Sequence, residues 1–268
     1  MLLYQRIRAR AEKGEKSILL VPEQFTSSTE GRIYRELGDA LSGMVESFSF
    51  TSLAEKILST EGGAAVQTLS DAGRAVLVRR ALEELQDNVH YYHRHRRSAA
   101  FCQMAAQTID ELKSAGLSGQ QLAQLAGACG AESGKLSELA LIFQGYETLL
   151  ARSGMDPSDR LELAGARLEE ALARHSLPEF LRDRAVFIDE FDTFNAPKKR
   201  LLGAMLAALP SVTVALCDDG APLLPGDLSL FSGAKQVAAQ LRQLARKNGA
   251  EVAVPQLLRK DLRHRNAP

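Results

Sequence analysis

Between Ser70 and about Leu181 no stretch of this sequence reads as a strand, although the residues on either side alternate short apolar runs with amphipathic helices. That interruption constrains the fold more than any single motif. Before it, Leu2, Leu3, Ile7 and Ala11 share one helical face, and Ser17–Val21 is an apolar run closed by Pro22, which reads as a buried strand. A helix follows through Ile33, Tyr34 and Leu37 to Gly38, with Ser27 or Ser28 placed to cap it and Glu23 or Glu30 nearby. Met44–Phe48 reads as a short strand, and Ser52 opens a helix with Leu53, Ile57 and Leu58 inward, ending before Gly62-Gly63. Alternation of this kind points to a parallel α/β sheet.

The middle stretch reads as five helices joined by short loops, as in a bundle. Ser70 caps the first, with Val76, Leu77, Leu82 and Leu85 at helical spacing. The second carries Phe101, Met104, Ile109 and Leu112 and stops at Gly116; Ser118 starts the third, with Leu122 and Leu125. The fourth runs through Leu136, Leu139, Ile142, Phe143, Tyr146 and Leu150, and Asp156-Pro157 is a cap followed by proline at the first helical position. After Pro178 the α/β pattern returns. Ala185–Ile188 reads as a strand, Asn195 starts a helix ended by Pro210, Val212–Leu216 is a strand, residues 233–247 form a helix, and Glu251–Val254 is a short last strand. The basic tail LRKDLRHRNAP reads as a chain cut before its structural end. The expected domains are residues 1–62 and 184–268, which build one sheet together, and a helical insertion over residues 63–183.

Composition narrows the classes. With 33 Lys+Arg against 33 Asp+Glu in 268 residues, a wholly basic nucleic-acid binder is excluded, whereas a local basic patch is not. Cys102, Cys129 and Cys217 are scattered without CxxC spacing, so neither a disulfide framework nor a zinc site follows, and a reducing, cytoplasmic compartment is expected. No apolar run reaches the ~18 residues of a membrane span, and the N-terminus lacks the apolar core of a signal peptide.

The chemistry-bearing stretch is Ala185-Val186-Phe187-Ile188-Asp189-Glu190. Two acids at the carboxyl end of a buried strand lie where open α/β sheets place a ligand crevice, the Walker B position of nucleotide hydrolases. There Asp189 would serve Mg²⁺ and Glu190 a water; a solvated acidic turn is the plain alternative. A Walker A loop, G-x-x-x-x-G-K-[ST], is missing. Gly134-Lys135 is followed by Leu136 inside a helical region, and Gly14-Glu15-Lys16-Ser17 precedes a strand instead of following one. In P-loop folds strand and loop precede the helix, so these pieces are expected just upstream of Met1.

A series of stretches resembles the N-terminal region of the AddB subunit of AddAB-type helicase–nucleases. They are Val21-Pro22-Glu23-Gln24-Phe25-Thr26, Val45 to Ala54 (VESFSFTSLA), Ile109 to Leu117 (IDELKSAGL) and Met155 to Leu161 (MDPSDRL). Phe187 to Phe194 takes that family's Walker-B-like place and Val212–Leu216 its next strand, so the series covers nearly the whole chain. The resemblance implies a P-loop, superfamily 1 helicase domain 1A-like parallel sheet interrupted by an all-helical 1B-like insertion. It further implies an AddA-type helicase–nuclease partner, double-stranded DNA ends as substrate in break repair and recombination, and Mg–ATP for the full-length protein. The family's iron–sulfur cluster and nuclease domain lie outside this chain, and no cofactor is expected in this fragment. The part played here would be DNA guiding and subunit interaction. A self-sufficient Mg²⁺-dependent nucleotide hydrolase using Asp189 and Glu190 stands as the alternative, and a helical adaptor with an α/β cap as a third reading.

By that resemblance Gln24 and Thr26, after the first strand, and Ser49 and Thr51, after the second, are candidate contacts to a single-strand backbone, since amides and hydroxyls suit phosphates without reading sequence. Helix capping by Thr26, Ser27 or Ser28 competes with that role. The run His90-Tyr91-Tyr92-His93-Arg94-His95-Arg96-Arg97 interleaves bases and aromatics as a single-strand groove does; a solvated inter-helix corner with the tyrosines packed down is the favoured reading, and three histidines without further ligands make a poor metal site. Arg79 and Arg80 read as surface charges and Asp218-Asp219 as a turn.

Overall fold

A computed structural model describes residues 2–130 and 133–257. The chain divides into two compact units. The first holds Met1–Glu61, Gly165–Phe194 and Lys199–Pro268, and the second Gly62–Ala164 with Asn195–Lys198.

The first unit is built on a four-stranded, wholly parallel sheet in the order β2-β1-β3-β4, where β1 is Ser17–Leu20, β2 Val45–Phe48, β3 Ala185–Ile188 and β4 Ser211–Val214. The two central strands come from opposite ends of the chain. β1 pairs with β3 in register, Ser17 with Ala185 through Leu20 with Ile188. Both are buried at every position, which explains why they read as unbroken apolar runs and not as alternating ones. Leu19, Val21 and Phe187 point to one face. There they pack with Leu3, Tyr4, Ile7 and Ala11 of α1 (Leu2–Ala11) and with Ile33 and Leu37 of α2 (Thr26–Leu37). Ile18, Leu20, Val186 and Ile188 face the other way by alternation, and all are fully buried. A one-turn helix α3 (Asp39–Ser42) leads into β2, and α4 (Phe50–Glu61) follows it.

Several local expectations shift. Helix α4 starts at Phe50 and not at Ser52, because buried Ser49 caps it: the Ser52 N–H donates to Ser49 Oγ at 3.0 Å and the Ser49 N–H to Ser52 Oγ at 2.8 Å. Neither Ser27 nor Ser28 caps α2. A 3-10 turn, Glu23–Phe25, runs straight into that helix, so Thr26 and Ser28 lie within its first turn and donate backwards, to the carbonyls of Glu23 and Phe25 at 2.9 Å each. Glu251–Val254 forms no strand. Val254 is 92% exposed, and Pro255 then removes an N–H donor. The basic tail from Leu258 onward lies outside the described residues.

The second unit is helical: α5 (Asp71–Glu84), α6 (Ala99–Ser114), α7 (Gly119–Ala126), α8 (Ser133–Ser153) and the start of α9 (Pro157–Ala173). Later in the chain α10 (Ala196–Ala208) falls between β3 and β4, and α11 (Ser232–Lys247) comes after β4. Ser70 and Ser98 cap α5 and α6, and Ser118 with Gln121 makes a reciprocal capping box on α7. Core residues Val78, Leu82, Cys102, Ile109, Leu122, Phe143 and Tyr146 form one cluster. Val76 and Met104, expected inward, are exposed: the buried stripes of α5 and α6 begin at Val78 and Cys102, each two residues and hence about 200° away on the helix. Leu125 is exposed as well. Helices α7 and α8 approach so closely that a Cβ on Gly119 would lie 2.7 Å from the Gln144 side chain.

A buried ionic cluster ties this unit together. Lys113 Nζ on α6 donates to Asp156 at 2.8 Å and to Asp159 at 2.7 Å, and the Tyr146 hydroxyl donates to Asp156 at 2.6 Å. The Asp156 carboxylate, 1% exposed, is thus spent on partners distant in sequence, while α9 starts at Pro157 as the sequence leads one to expect. Burial alone would lower the Lys113 pKa, but its bonds to the two carboxylates outweigh that and raise it. Burial first, and the bond to Asp156 second, push the Tyr146 hydroxyl well above the usual range.

The connection between α5 and α6 is longer than the expected bundle loop. It is held from α8 by Glu138, whose carboxylate accepts the consecutive N–H groups of His90, Tyr91 and Tyr92 at 2.8–3.1 Å.

Removing Lys113 leaves the Asp156 carboxylate buried without its cation. Lys113→Ala is expected to cost about 3–5 kcal/mol in urea unfolding of the second unit. Glu138 gives a pH test. Partial burial raises its pKa, and the three N–H groups lower it further, to a value below its ordinary 4.5. The clamp is complete above that ordinary value and is lost as pH falls through the depressed one. The amide resonances of residues 90–92 should therefore titrate together with a midpoint under 4.5.

Candidate functional site

The site expected at the Asp189-Glu190 pair is positioned by the ladder itself. The Asp189 N–H donates to the Leu20 carbonyl at 3.0 Å, the Val21 N–H to Phe48 at 3.0 Å, and the Ala215 N–H to Ile188 at 2.9 Å. The chain segments leaving β2, β1, β3 and β4 therefore start level, along one carboxyl edge. In a parallel sheet this is where loops converge on a ligand.

Beside Asp189 and Glu190 lies a hollow of about 210 Å³, also lined by Tyr4 of α1 and by Ser28, Thr29, Arg32 and Arg35 of α2. The Arg32 guanidinium sits 4.7 Å from the centre of the Tyr4 ring. Burial raises the Tyr4 pKa, with Arg32 opposing and Asp189 adding to the rise, so these three groups share one field. One Asp189 oxygen already accepts the Glu190 N–H at 3.0 Å. Glu190 has φ 63°, a left-handed conformation that costs a side chain with a Cβ about 1–2 kcal/mol.

What holds this turn is an aromatic cluster. Phe191 and Phe194, straddling the acids' carboxyl side, stack at 5.4 Å, and each meets the edge of Phe50 at the start of α4, at 5.3 and 6.0 Å. All three rings are buried. The aromatic anchor and the arginines facing the acids were not anticipated. Arg32 and Arg35 stand three apart on one helix, a spacing visible in the sequence, but nothing local says that this helix borders β3.

Chemically the hollow joins acids to guanidinium groups. Arg32 and Arg35 suit phosphate or carboxylate oxygens. The acids make a poor cation site by themselves: among the described residues no group of three His, Cys, Asp or Glu side chains is placed to hold a metal ion. A Mg²⁺ here would depend on ligands from outside the described residues.

The other candidates fall on the same edge with different availability. Gln24 is exposed in the 3-10 turn after β1, and Thr26 is half-buried with its hydroxyl donated to Glu23. Thr51 is exposed in the first turn of α4, whereas Ser49 is buried and its hydroxyl is occupied by the cap. Asp218 and Asp219 form turns, accepting the N–H groups of Gly220 at 3.1 Å and Ala221 at 2.9 Å, and Lys235 of α11 pairs with Asp219 at 3.0 Å. Arg79 and Arg80 are surface ion pairs with Glu83 and Glu84, each at 3.1 Å. In the 90–97 corner Tyr92 packs on Phe101 at 5.4 Å, but Tyr91 does not pack down and is 55% exposed. A larger hollow of about 590 Å³, at Gln120, Gln144, Glu147 and Thr148, offers mainly amides and no paired acids.

The anchor and the strained turn separate in mutagenesis. Phe191→Ala is expected to destabilise the first unit by about 3–5 kcal/mol. Glu190→Gly, which releases the left-handed strain, should leave its stability unchanged or raise it by up to about 1 kcal/mol in the same denaturation experiment.

Comparison with known proteins places this chain in a family. The B subunit of the ATP-dependent helicase/deoxyribonuclease of Desulforudis audaxviator is 34% identical over 254 residues, covering 92% of this chain and 21% of that protein. The protein of the same name from Anoxybacillus flavithermus is 30% identical over 280 residues, covering 99% and 23%, and that from Clostridium perfringens 30% identical over 237 residues, covering 87% and 20%. The chain thus spans about a fifth of the length of these relatives. The family model described as "ADDB, N-terminal" matches residues 1–268, so the chain belongs to the ADDB N-terminal family.

Proposed function

We propose that this chain is the helicase-like N-terminal part of the B subunit of a bacterial ATP-dependent helicase/deoxyribonuclease. That enzyme would act on double-stranded DNA ends in break repair and recombination, in the cytoplasm. The chain's part is to guide DNA and to join an AddA-type partner subunit. In this reading residues 1–62 and 184–268 are the 1A-like core and residues 63–183 the 1B-like insertion. The observation that carries it is the shared carboxyl edge of three adjacent parallel strands. After β1 and β2 that edge presents Gln24 and Thr51, together with the N-terminus of α4, as donors suited to a phosphate backbone, while Thr26 spends its hydroxyl proton on Glu23. Ser49 would act there through its cap, by holding that helix end in place.

The acid pair fits the same reading as half of a nucleotide site. In a complete site Mg²⁺ would polarise the phosphate, with Asp189 as one of its ligands and Arg32 and Arg35 beside the phosphate oxygens. This chain's own residues orient and neutralise but do not enclose a metal. The hydrolase reading would need a self-sufficient cation site at Asp189 and Glu190, and among the described residues no third His, Cys, Asp or Glu side chain joins them to make one.

Two measurements separate the readings. In the full-length subunit paired with its AddA-type partner, Gln24→Ala with Thr51→Ala should weaken single-stranded DNA binding roughly tenfold, the worth of one or two charge-assisted hydrogen bonds. ATP titrated into the 268-residue chain should give no saturable micromolar binding. Saturation abolished by Asp189→Asn would overturn the scaffold reading in favour of the hydrolase.

A further inference from the structure

The 90–97 corner of the second unit is more than a turn between helices. It carries four rings in contact: Tyr91 meets Tyr92 at 5.0 Å, Tyr92 meets Phe101 at 5.4 Å, and Phe101 stacks on His95 at 5.5 Å. Phe101 and Tyr92 form the packed middle against the helical core, while Tyr91 and His95, at the two ends of the ladder, are exposed.

Cations border this ladder. Lys135 Nζ lies 5.2 Å from the Tyr91 ring centre. Arg94 and Arg97 are exposed, and among the described residues neither side chain is ion-paired. Arg96 is half-buried, with its Nη1 3.3 Å from both ring nitrogens of His93, so it braces the turn from within. The backbone is set beforehand. Glu138 grips three successive N–H groups, and the 3-10 turn His93–His95 follows at once. Rings and cations are therefore presented on a fixed frame and need little ordering when a ligand arrives.

We infer that this corner is a binding site for single-stranded nucleic acid, with Tyr91 as a stacking platform for a base and Arg94 and Arg97 pairing with the flanking phosphates. A ring face beside exposed cations is the chemistry of sequence-tolerant strand binding. Neutral overall charge does not oppose it, because counterion release is a local property of the contacted phosphates. The inference rests on the proposed DNA-guiding role for its setting. It adds a surface in the second unit that the sheet-edge residues do not supply.

The test is fluorescence anisotropy of a labelled oligothymidylate with the 268-residue chain across a salt series. Parent, Arg94→Ala/Arg97→Ala, Tyr91→Ala and Gln24→Ala/Thr51→Ala proteins are compared, each checked by circular dichroism. The arginine pair is expected to lower affinity about tenfold and to flatten the log–log salt slope by about 1.4, the value for two single-strand phosphates. Tyr91→Ala should weaken binding at least about fivefold with the slope unchanged, as loss of stacking does. Parent-like binding by both corner variants, or no binding by the parent, overturns the inference. Equal losses on a blunt duplex of the same length also overturn it, because paired bases cannot stack on Tyr91. If the corner variants lose binding while Gln24→Ala/Thr51→Ala does not, the corner stands and the sheet-edge contact fails; the reverse pattern fails the corner alone.

Discussion

The pairing of β1 with β3 is the contact on which the first unit depends. Each strand is four residues long and buried at every position, so each carries backbone N–H and C=O groups that water cannot reach. Only a neighbouring strand satisfies them. β1 has β2 on its other side and β3 has β4, so loss of the central ladder would leave two short, unsupported pairs. The same ladder sets the chemistry. It places Asp189 one residue past Leu20, level with the turn that carries Gln24, and so makes a shared edge from segments that the sequence keeps far apart.

What could be read in advance follows from this physics. Runs such as Ser17–Val21 and Ala185–Ile188 are legible because a strand covered on both faces has no polar positions to disguise it. Ser70 and Ser118 are legible as caps because capping is local. The misreadings are tertiary. Glu251–Val254 has the composition of a strand, but a strand exists only with a partner. Asp156-Pro157 marks the start of α9 locally, but only the fold shows that Lys113 and Tyr146, brought in from other helices, hold its carboxylate. The stretches IDELKSAGL and MDPSDRL, which carry much of the family resemblance, meet in that cluster, so in this fold their polar residues are joined to one another inside the second unit.

The candidate site was half legible for a similar reason. Strand-then-acid is a local signal, and it located Asp189 and Glu190. Their setting comes from topology: α2 follows β1, β1 pairs directly with β3, and Arg32 and Arg35 thus line one hollow with the acids. The left-handed turn at Glu190 has no signature in the residue type, since glutamate gains nothing there. It persists because Phe191 and Phe194 anchor the chain beyond it against Phe50.

The strandless stretch between β2 and β3 also sets an order of events in the life of the chain. During synthesis β1, α2 and β2 leave the ribosome long before Ala185 exists, so the central ladder cannot close while the helical stretch is being made. The helices need no such wait, because every element they pack against within their own unit precedes β3 apart from the short Asn195–Lys198 segment. Their packing also shortens the loop that the ladder must close, because a folded insertion spans less distance than the same residues as coil. The stretch between β2 and β3 is thus a loop that closure of the central ladder must span, and the ladder is the last part of the sheet's centre that synthesis makes possible.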